Sequence, residues 1–372
     1  MRRVLQLRAL RARAGGGLTA VEDRSERHVL GLIERVKAKP LRFRDDQITM
    51  AHGAGGKATM TLIEGLLAPA FGIEELSDAG EVGELAVTTD SFVVKPIRFP
   101  GGSIGELAVN GTVNDLAVAG ARPLALALSL ILEEGLRATE LRSEVEAMAS
   151  AAEAAGVQIV AGDTKVVERG HCDSMYITTT GIGRIDPRAR LSPSSLQPGD
   201  RVLVSGPIGE HGMAIMLARG EFELEAPVES DTRSLWPAVD ALLDASGDSV
   251  RCIRDATRGG VASVVNELAR ASGVAVVVRE ADVPVQPAVV GACEIHGIDP
   301  MYVANEGTLV AFVALEAADG ALAALRSVPG FEKAAEIGEV KAEPPGLVLV
   351  ETAFGGRRIM DLLVGDPLPR IC

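Results

Sequence analysis

Three acidic residues adjoin apolar segments in the first half of the sequence, where a carboxylate is costly unless it has a partner. Asp90 follows Leu85-Ala-Val-Thr-Thr, Asp163 follows Val157-Gln-Ile-Val-Ala-Gly, and Asp115 lies in a helical pattern of small residues. Ligands of α/β proteins bind beyond the carboxyl ends of strands, and Mg²⁺ prefers oxygen ligands. The pattern predicts a metal site at these three residues. Each residue taken alone is more typical of a turn or a helix cap.

Polar residues near these carboxylates extend the predicted site. Asn110 and Asn114 share the helical pattern of Asp115, and Lys165 follows Asp163 by two positions. Together with the acidic residues they indicate a polar site.

Two glycine-rich segments precede helical patterns, an arrangement that favours anion binding. His52-Gly-Ala-Gly-Gly-Lys57 offers backbone N–H groups and one cation, but Ala51 and Ala58 stand where a P-loop needs Gly and Ser or Thr. The alternative is a flexible turn. Arg254-Asp-Ala-Thr-Arg-Gly-Gly offers two guanidinium groups for phosphate oxygens. Its alternative is a capped helix with surface arginines.

Two further residues have a chemical and a structural interpretation. Cys372 ends the sequence behind two prolines, so it is either an idle terminal residue or a thiol nucleophile on a tethered tail. Glu306 precedes a strand and is either a base or a turn residue. His52 and His211 lack the spacing of metal ligands, and neither is predicted to be catalytic.

The elements that must position these residues form two α/β series of similar size. The first has helical patterns at 58–71, 104–119 and 136–155, with strands at 84–94, 123–132, 157–161 and 175–182. A segment rich in Pro and Ser after Arg184 separates the two series. We predict a basic extension (1–44), an N-terminal domain (45–186), a C-terminal α/β domain (187–358) and a tail (359–372).

Composition and charge exclude several classes of protein. The 372 residues are 47% hydrophobic and 24% charged, which excludes wholesale disorder, and 3% aromatic, which argues against a stacking platform for single-stranded nucleic acid. Residues 1–44 have 12 basic and 4 acidic groups, a net charge of +8, so the rest has a net charge of −22. That acidic body repels nucleic acid and anionic lipid.

The sequence also indicates a compartment. The longest nearly apolar segment, 123–132, is half the length of a membrane-spanning helix, and the first 18 residues do not have the pattern of a secretory signal. The four cysteines, Cys172, Cys252, Cys293 and Cys372, are far apart. We therefore expect free thiols in the cytoplasm.

The ordered motifs resemble one family, the HypE hydrogenase maturation factors (carbamoyl dehydratases) of the aminoimidazole-ribonucleotide synthetase-like ATP-binding superfamily. The resemblance runs from about residue 48 to residue 372, and the terminal motif is its most specific signal. The motifs are His52-Gly-Ala-Gly-Gly, Thr89-Asp-Ser-Phe-Val-Val, Phe99-Pro-Gly-Gly, Asn110-Gly-Thr-Val-Asn-Asp-Leu, Gly162-Asp-Thr-Lys-Val-Val, Arg254-Asp-Ala-Thr-Arg-Gly-Gly, Asn305-Glu-Gly and Pro369-Arg-Ile-Cys.

The resemblance implies a fold and a reaction. The expected fold is a two-domain α/β (α+β) dimer whose N-terminal sheets join across the two copies, with a flexible C-terminal tail. The tail thiol accepts a carbamoyl group from the carbamoyltransferase HypF. ATP then phosphorylates the thiocarboxamide oxygen, and loss of phosphate leaves a thiocyanate. The cyanide passes to iron on the HypC–HypD complex for the nickel–iron hydrogenase site.

The same resemblance assigns roles to residues. Cys372 would carry the carbamoyl group, Lys165 and Glu306 would move its amide protons, and Asp90, Asp115 and Asp163 would hold Mg²⁺. The residues implied to bind ATP are His52, Gly55, Gly56, Lys57, Asn110, Asp115, Asp163, Thr164, Arg254, Asp255 and Arg258.

Alternative functions lie within and outside this superfamily. A selenophosphate synthetase would need Cys or Sec in the first glycine loop, where the sequence has neither, and a thiamine-phosphate kinase would not explain the terminal Pro-Arg-Ile-Cys. A non-catalytic ATP-binding scaffold would not need all three aspartates and Lys165. Loss of ATPase activity in Asp115→Asn would separate an enzyme from a scaffold.

Overall fold

The structure, a computed structural model, describes residues 41–220, 227–365 and 370–372. Most of the predicted basic extension lies outside the described residues. The helices are α1 (Lys57–Leu62), which continues through a π-helical turn (Ile63–Leu67) into α2 (Ala68–Phe71), then α3 (Ile104–Val118), α4 (Ala138–Ala155), α5 (Glu210–Ala218), α6 (Trp236–Ser246), α7 (Gly260–Ser272), α8 (Pro287–His296) and α9 (Ala318–Ser327). The strands are β1 (Gly80–Val82), β2 (Leu85–Phe92), β3 (Arg98–Phe99), β4 (Gly102–Ser103), β5 (Ala121–Glu133), β6 (Gln158–Val167), β7 (Met175–Ile185), β8 (Arg201–Val204), β9 (Val250–Asp255), β10 (Ala275–Arg279), β11 (Leu309–Val313), β12 (Ala335–Lys341), β13 (Val348–Glu351) and β14 (Arg357–Ile359).

The first half forms a five-stranded sheet in the order β1-β2-β7-β5-β6. Strands β5 and β6 are parallel, and the other neighbours are antiparallel. In β7 buried positions alternate with more exposed ones along most of the strand, because α3 covers one face of the sheet. The edge strand β6 is exposed along almost its whole length, so this chain leaves that edge uncovered.

Helix α3 is buried on nearly all sides because it contacts the first sheet and, on its other side, β9 and α6 of the second half. Small residues allow this close packing. A Cβ at Gly105 would lie 2.5 Å from the carbonyl oxygen of Glu144, and one at Gly111 would lie 2.8 Å from the ring of Phe92. Asp115 is therefore held at a fixed depth between the two halves.

The second half forms a seven-stranded sheet in the order β14-β13-β10-β12-β8-β11-β9. Its strands are mostly buried because helix α7 contributes to the core on one face, and α6 and α9 to the core on the other. Helix α5 is different, since its buried side chains Met213 and Ile215 join the core of the first half. It therefore lies at the junction of the two halves.

The two predicted α/β halves are confirmed, and the predicted end of one strand is wrong. Asp90 lies inside β2, within the strand predicted at 84–94, whereas Asp163 lies inside β6 rather than after it. The reason is that Thr164-Lys-Val-Val continues β6 with residues of high strand propensity, and an edge strand tolerates polar side chains on both faces. Helices α8 and α9 and strands β9 and β12 were not predicted. No helix of the described ranges has the length and apolar character needed to cross a membrane.

Candidate active site

Four carboxylates from separate elements meet beside α3. Asp78 precedes β1, Asp90 lies in β2, Asp115 lies on α3 and Asp255 ends β9. One carboxylate oxygen from each of Asp78, Asp115 and Asp255 lies within 4.8 Å of the other two, and the charge of Asp90 adds to burial in raising the pKa of Asp115. Carboxylates this close repel one another, so we expect this acidic cluster of four residues to take up protons when no cation neutralises it.

The surroundings of the acidic cluster raise the pKa of each member. Burial is the largest cause for all four, and it acts with mutual repulsion to hold the pKa values of Asp115 and Asp255 well above their usual range. The guanidinium of Arg254, 2.5 Å from Asp78, partly offsets burial there. Closely spaced carboxylate oxygens of this kind form a donor set for a hard divalent cation.

The two glycine-rich segments pack against each other next to the acidic cluster. Gly55 has a φ of +73°, and a Cβ there would lie 2.6 Å from the carbonyl oxygen of Arg258. The Arg258 guanidinium donates to the carbonyl of Gly53 at 2.8 Å. A Cβ at Gly56 would lie 2.6 Å from the carbonyl oxygen of Leu363. Glycine is thus required at both positions for the loop to approach its neighbours.

His52 and Lys57, at the two ends of this loop, have partners within the chain. The His52 ring is buried, its Nε2 lies 3.0 Å from an oxygen of Asp45, and its Nδ1 accepts from the Thr49 N–H at 3.0 Å. Lys57 Nζ lies 2.8 Å from Asp361 at an exposed position. His52 therefore anchors the loop, whereas Lys57 must leave an ion pair to reach a phosphate.

Glu306 is fully enclosed behind Arg258. Its backbone N–H donates to Asp231 at 2.9 Å, and the next N–H, that of Gly307, donates to the same carboxylate at 3.0 Å. Burial, followed by the charges of Asp255 and Asp231, raises the pKa of Glu306 well above its usual range, and Arg258 opposes this shift. A carboxylate with a raised pKa is a stronger base once it is ionised.

The end of the sequence enters this region. Cys372 lines a cavity of about 350 Å³ together with His52, Arg258 and Tyr302. The charge of Cys372 is the largest cause of the raised pKa of Arg258. The preceding residue, Ile371, is buried in the core of the first half. The tail tip therefore lies inside the predicted site, a position that the sequence did not indicate.

Asp163, Thr164 and Lys165 lie apart from the acidic cluster within this chain. Ser91, Thr178, Ser129 and Asp163 are successive partners across the sheet, and three strand spacings separate Asp163 from β2 by about 14 Å.

The side chains of Asp163 and Lys165 also point away from α3. Thr179, next to Thr178, hydrogen-bonds to α3, so Thr178 and its partner row occupy the opposite face. There Lys165 lies 2.6 Å from Asp163 and lowers the pKa of Asp163. One chain does not bring Asp163 to the same metal ion as Asp115.

The two asparagines of α3 are buried close to the Glu306 loop. Asn114 donates to the carbonyl of Glu306 at 3.1 Å and accepts from the N–H of Leu235 at 2.7 Å. Asn110 lies one helical turn earlier and is also buried. Asn114 thus fixes the position of the loop that bears Glu306.

Sequence reasoning missed Asp78 and Asp231. Asp78 lies in a polar segment before a short strand and has no motif of its own. Asp231 was not recognised as a backbone acceptor because its partners, Glu306 and Gly307, are more than seventy positions away. Such pairings depend on tertiary structure, so local sequence patterns do not report them.

Comparisons with known proteins agree on one family. Residues 75–185 match the family model "AIR synthase related protein, N-terminal domain", and residues 197–350 match the corresponding C-terminal domain. The chain is 48% identical over 339 residues to carbamoyl dehydratase HypE of Rhodobacter capsulatus, covering 89% of this chain and 99% of that protein.

Solved structures agree with the sequence comparisons. A crystal structure of a HypE–HypF complex matches with a TM-score of 0.78 and 45% identity, over 81% of this chain and 99% of that one. A crystal structure of HypE in complex with ATP matches with a TM-score of 0.75 and 44% identity, over 88% of this chain and 100% of that one. Both alignments span the two α/β halves.

Proposed function

This chain belongs to the HypE family of carbamoyl dehydratases, and from that premise we propose that it dehydrates a carbamoyl group carried on the thiol of Cys372. ATP phosphorylates the oxygen of the thiocarboxamide. The C–O bond then breaks, phosphate leaves with that oxygen, and the nitrogen loses both protons. The product is a thiocyanate, S–C≡N, which supplies the cyanide ligand for maturation of nickel–iron hydrogenase.

The observation that carries this proposal is the position of the tail tip. Cys372 lines the same cavity as Arg258 and the glycine loop, and Arg258 is in turn influenced by Glu306 and by Asp90 and Asp115 of the acidic cluster. A carbamoyl group on the thiol would therefore lie near a cation, a buried carboxyl group and the predicted phosphate site. This juxtaposition does not favour the scaffold alternative, which requires neither Glu306 nor the acidic cluster.

The acidic cluster fits Mg²⁺, since it offers carboxylate oxygens within 4.8 Å of one another from residues whose pKa values are raised by burial and by mutual repulsion. We propose that Asp78, Asp115 and Asp255 hold the ion with Asp90 beside them, and that the loop from His52 to Lys57 closes over ATP. Bound Mg²⁺ would neutralise charge on the phosphates. Arg258 would stabilise the charge that develops on the transferred phosphoryl group.

Of the two residues predicted to move protons, Glu306 has the more suitable position within one chain. Its enclosure excludes water, and its raised pKa favours removal of a proton from the amide nitrogen. The second predicted residue, Lys165, faces away from α3 in the same chain, so its proposed role requires another copy.

A homodimer would supply that copy. The first sheet leaves the edge strand β6 uncovered, and Val160 and Val166 on that strand are 62% and 67% exposed. Joining two such sheets would bury these apolar residues and the outer face that bears Asp163 and Lys165. We propose that Asp163, Thr164 and Lys165 act across this interface, toward the nucleotide of the other copy.

Two partners complete the proposed cycle. The solved complex with HypF supports a HypF-type carbamoyltransferase as the donor of the carbamoyl group, and a HypC–HypD-type iron complex would accept the cyanide. None of the four cysteines, each within the described part of the chain, is in a disulfide. Carbamoyl transfer requires Cys372 as a thiol rather than as half of a disulfide, which is consistent with a proposed reaction in the cytoplasm.

Intact-protein mass spectrometry with the carbamoyltransferase, carbamoyl phosphate and ATP tests this proposal. We expect the chain to gain one carbamoyl group and then to lose one water when ATP is present. The Cys372→Ala variant should show neither change, and Cys293→Ala, which removes a buried thiol, should behave as the wild type. If Cys372→Ala acquires the same adduct, the proposed acceptor is wrong.

A further inference from the structure

The last two residues before the thiol lie in a groove between the first sheet and helix α5. The N–H of Val93, just after β2, donates to the carbonyl of Cys372 at 3.2 Å, and the N–H of Lys95 donates to the carbonyl of Arg370 at 3.4 Å. The tail thus adds to the end of β2 by backbone hydrogen bonds, as peptides add to exposed sheet edges. Backbone pairing alone would accept many sequences.

Helix α5 supplies contacts on the other side of the tail. His211, in its first turn, lies with Nε2 2.7 Å from the carbonyl oxygen of Ile371 and with Nδ1 2.8 Å from the hydroxyl of Ser230. His211 is fully buried, and burial lowers its pKa. The neutral ring therefore donates from Nε2 to Ile371 and accepts from Ser230.

Arg219 follows the last turn of the same helix and completes this side. Its Nη2 donates to the carbonyl of Arg370 at 2.6 Å, and its Nε donates to the carbonyl of Lys95 at 2.8 Å. Arg219 therefore ties the tail to the segment after β2. Side chains from the two ends of α5 thus converge on the carbonyls of adjacent tail residues, His211 on Ile371 and Arg219 on Arg370.

The Arg370 side chain is recognised separately. Its Nη1 lies 2.5 Å from Asp173 and its Nη2 donates to the carbonyl of Val93 at 3.2 Å, while the guanidinium lies 5.8 Å from the centre of the Tyr176 ring. A planar group with several donors fits these partners, whereas the single ammonium of lysine would not reach them together.

Backbone conformation marks the same place. Among the described residues, the non-glycine residues with positive φ are Ser174 (65°) and Arg370 (55°). Arg370 belongs to the tail, and Ser174 adjoins Asp173, the ion-pair partner of Arg370. Left-handed backbone is unfavourable for such residues, and it persists where surrounding contacts fix it.

We infer that Asp173, His211 and Arg219 are positioning residues that form a receptor for the segment Arg-Ile-Cys and hold the Cys372 thiol in the active-site cavity. Asp173 selects arginine at position 370, the apolar core selects a branched side chain at 371, and His211 and Arg219 fix the carbonyls. The inference rests on the proposed function in that Cys372 is the acceptor of the carbamoyl group. The contacts are hydrogen bonds, one partly exposed ion pair and the burial of one apolar side chain, all non-covalent, so the tail can leave the receptor to meet its partners.

The rate at which a thiol reagent labels Cys372, followed by peptide mass spectrometry on the full chain, tests the receptor. Cys172, Cys252 and Cys293 are buried and serve as internal controls. Loss of a charged hydrogen bond by Asp173→Ala or Arg370→Ala should raise the labelling rate about tenfold. The double variant should be labelled much more slowly than the product of the two single effects predicts, because both substitutions remove the ion pair between Asp173 and Arg370.

Further variants separate recognition from general stability. Arg370→Lys should give an intermediate rate. His211→Phe should raise the rate, whereas His211→Gln, which keeps a donor, should raise it less. Glu351→Gln, which breaks an exposed ion pair with Arg357 on the second sheet, should leave the rate unchanged. Wild-type rates in both Asp173→Ala and Arg370→Ala, or multiplicative effects in the double variant, would overturn the inference.

This measurement needs neither carbamoyl phosphate nor ATP, so the inferred receptor and the proposed reaction can be refuted independently of each other. Faster labelling in the variants, together with a Cys372 that is never carbamoylated in the wild type, would leave the receptor standing and refute the proposed function. Normal carbamoylation of Cys372 in the wild type, together with unchanged labelling in the variants, would refute the receptor and leave the proposed function standing.

Discussion

Repulsion within the acidic cluster should lower the free energy of unfolding in the absence of a divalent cation, and Asp115→Asn measures how large this effect is. Two carboxylates at the 4.8 Å outer limit of the cluster repel each other by ~3.5 kcal/mol at an effective dielectric constant of about 20. Protons taken up by the cluster relieve part of this energy. We therefore expect Asp115→Asn to raise the free energy of unfolding by about 2 kcal/mol in metal-free buffer at pH 8.

The size of the expected shift in Tm follows from the length of the chain. An unfolding entropy of roughly 0.8 kcal/mol/K for a chain of this size converts the gain into a rise in Tm of about 3 °C. Asn keeps the hydrogen bond from Thr88, whose hydroxyl lies 2.7 Å from Asp115, so the substitution changes charge rather than packing. The same variant should lose ATPase activity, because it removes a proposed Mg²⁺ ligand.

The effect depends on pH with a definite sign. The pKa of Asp115 in the folded chain is raised well above the ordinary value of 3.8, so the folded state binds more protons than the unfolded state. Wild-type stability is therefore greatest below the ordinary pKa and is lost as the pH rises through the raised pKa. The advantage of Asp115→Asn should grow from pH 6 to pH 8.

Differential scanning calorimetry with and without Mg²⁺ measures both effects. Wild type should gain Tm from Mg²⁺, and Asp115→Asn should gain little. Asp244→Asn is the matched control, since Asp244 is exposed and lies 3.5 Å from Arg188 away from the acidic cluster, and it should show no metal-free stabilisation. A metal-free Asp115→Asn that is less stable than the wild type at pH 8, or that responds to Mg²⁺ as the wild type does, would refute the reasoning.

Three further substitutions test the site. Glu306→Gln should reduce the rate of dehydration by about 10²–10⁴-fold, because it removes the proposed base, and leave ATP binding unchanged in calorimetric titration. Gly55→Ala should weaken ATP binding and lower the free energy of unfolding by about 2 kcal/mol, because its Cβ would meet the carbonyl of Arg258 at a positive φ. Wild-type affinity for ATP would contradict this. Arg254→Met should lower the free energy of unfolding, measured in urea, by about 3–5 kcal/mol, because it leaves the enclosed carboxylate of Asp78 without its cation. A decrease below 1 kcal/mol would show that the ion pair is dispensable.

The sequence predicted the two α/β halves and most of the site segments because these depend on local patterns. Glycine at 55 and 56, the carboxylate at 115 among small residues and the arginines near 255 each stand out from their neighbours. The structure brings these segments together around α3. What the sequence could not supply was the partner of each group.

The position of Asp163 shows this limit. The apolar segment before it predicted a strand that ended at 161, whereas β6 continues to Val167 and carries Asp163 on the face away from α3. Asp78, in contrast, has no distinctive pattern and joins the acidic cluster through tertiary packing. The docking of Arg370 on Asp173 likewise joins residues almost two hundred positions apart, which local periodicity does not report.

The central claim is that ATP activates the carbamoyl oxygen on Cys372 as a leaving group. The chain is first carbamoylated on Cys372 with a thiocarboxamide oxygen that is ¹⁸O, is separated from the carbamoyltransferase and carbamoyl phosphate, and then receives ATP; the isotopic composition of the inorganic phosphate released in this second step tests the claim directly. The account predicts one ¹⁸O atom in each phosphate formed as thiocyanate appears on Cys372. Thiocyanate formation with unlabelled phosphate, and with the label in water, would contradict it.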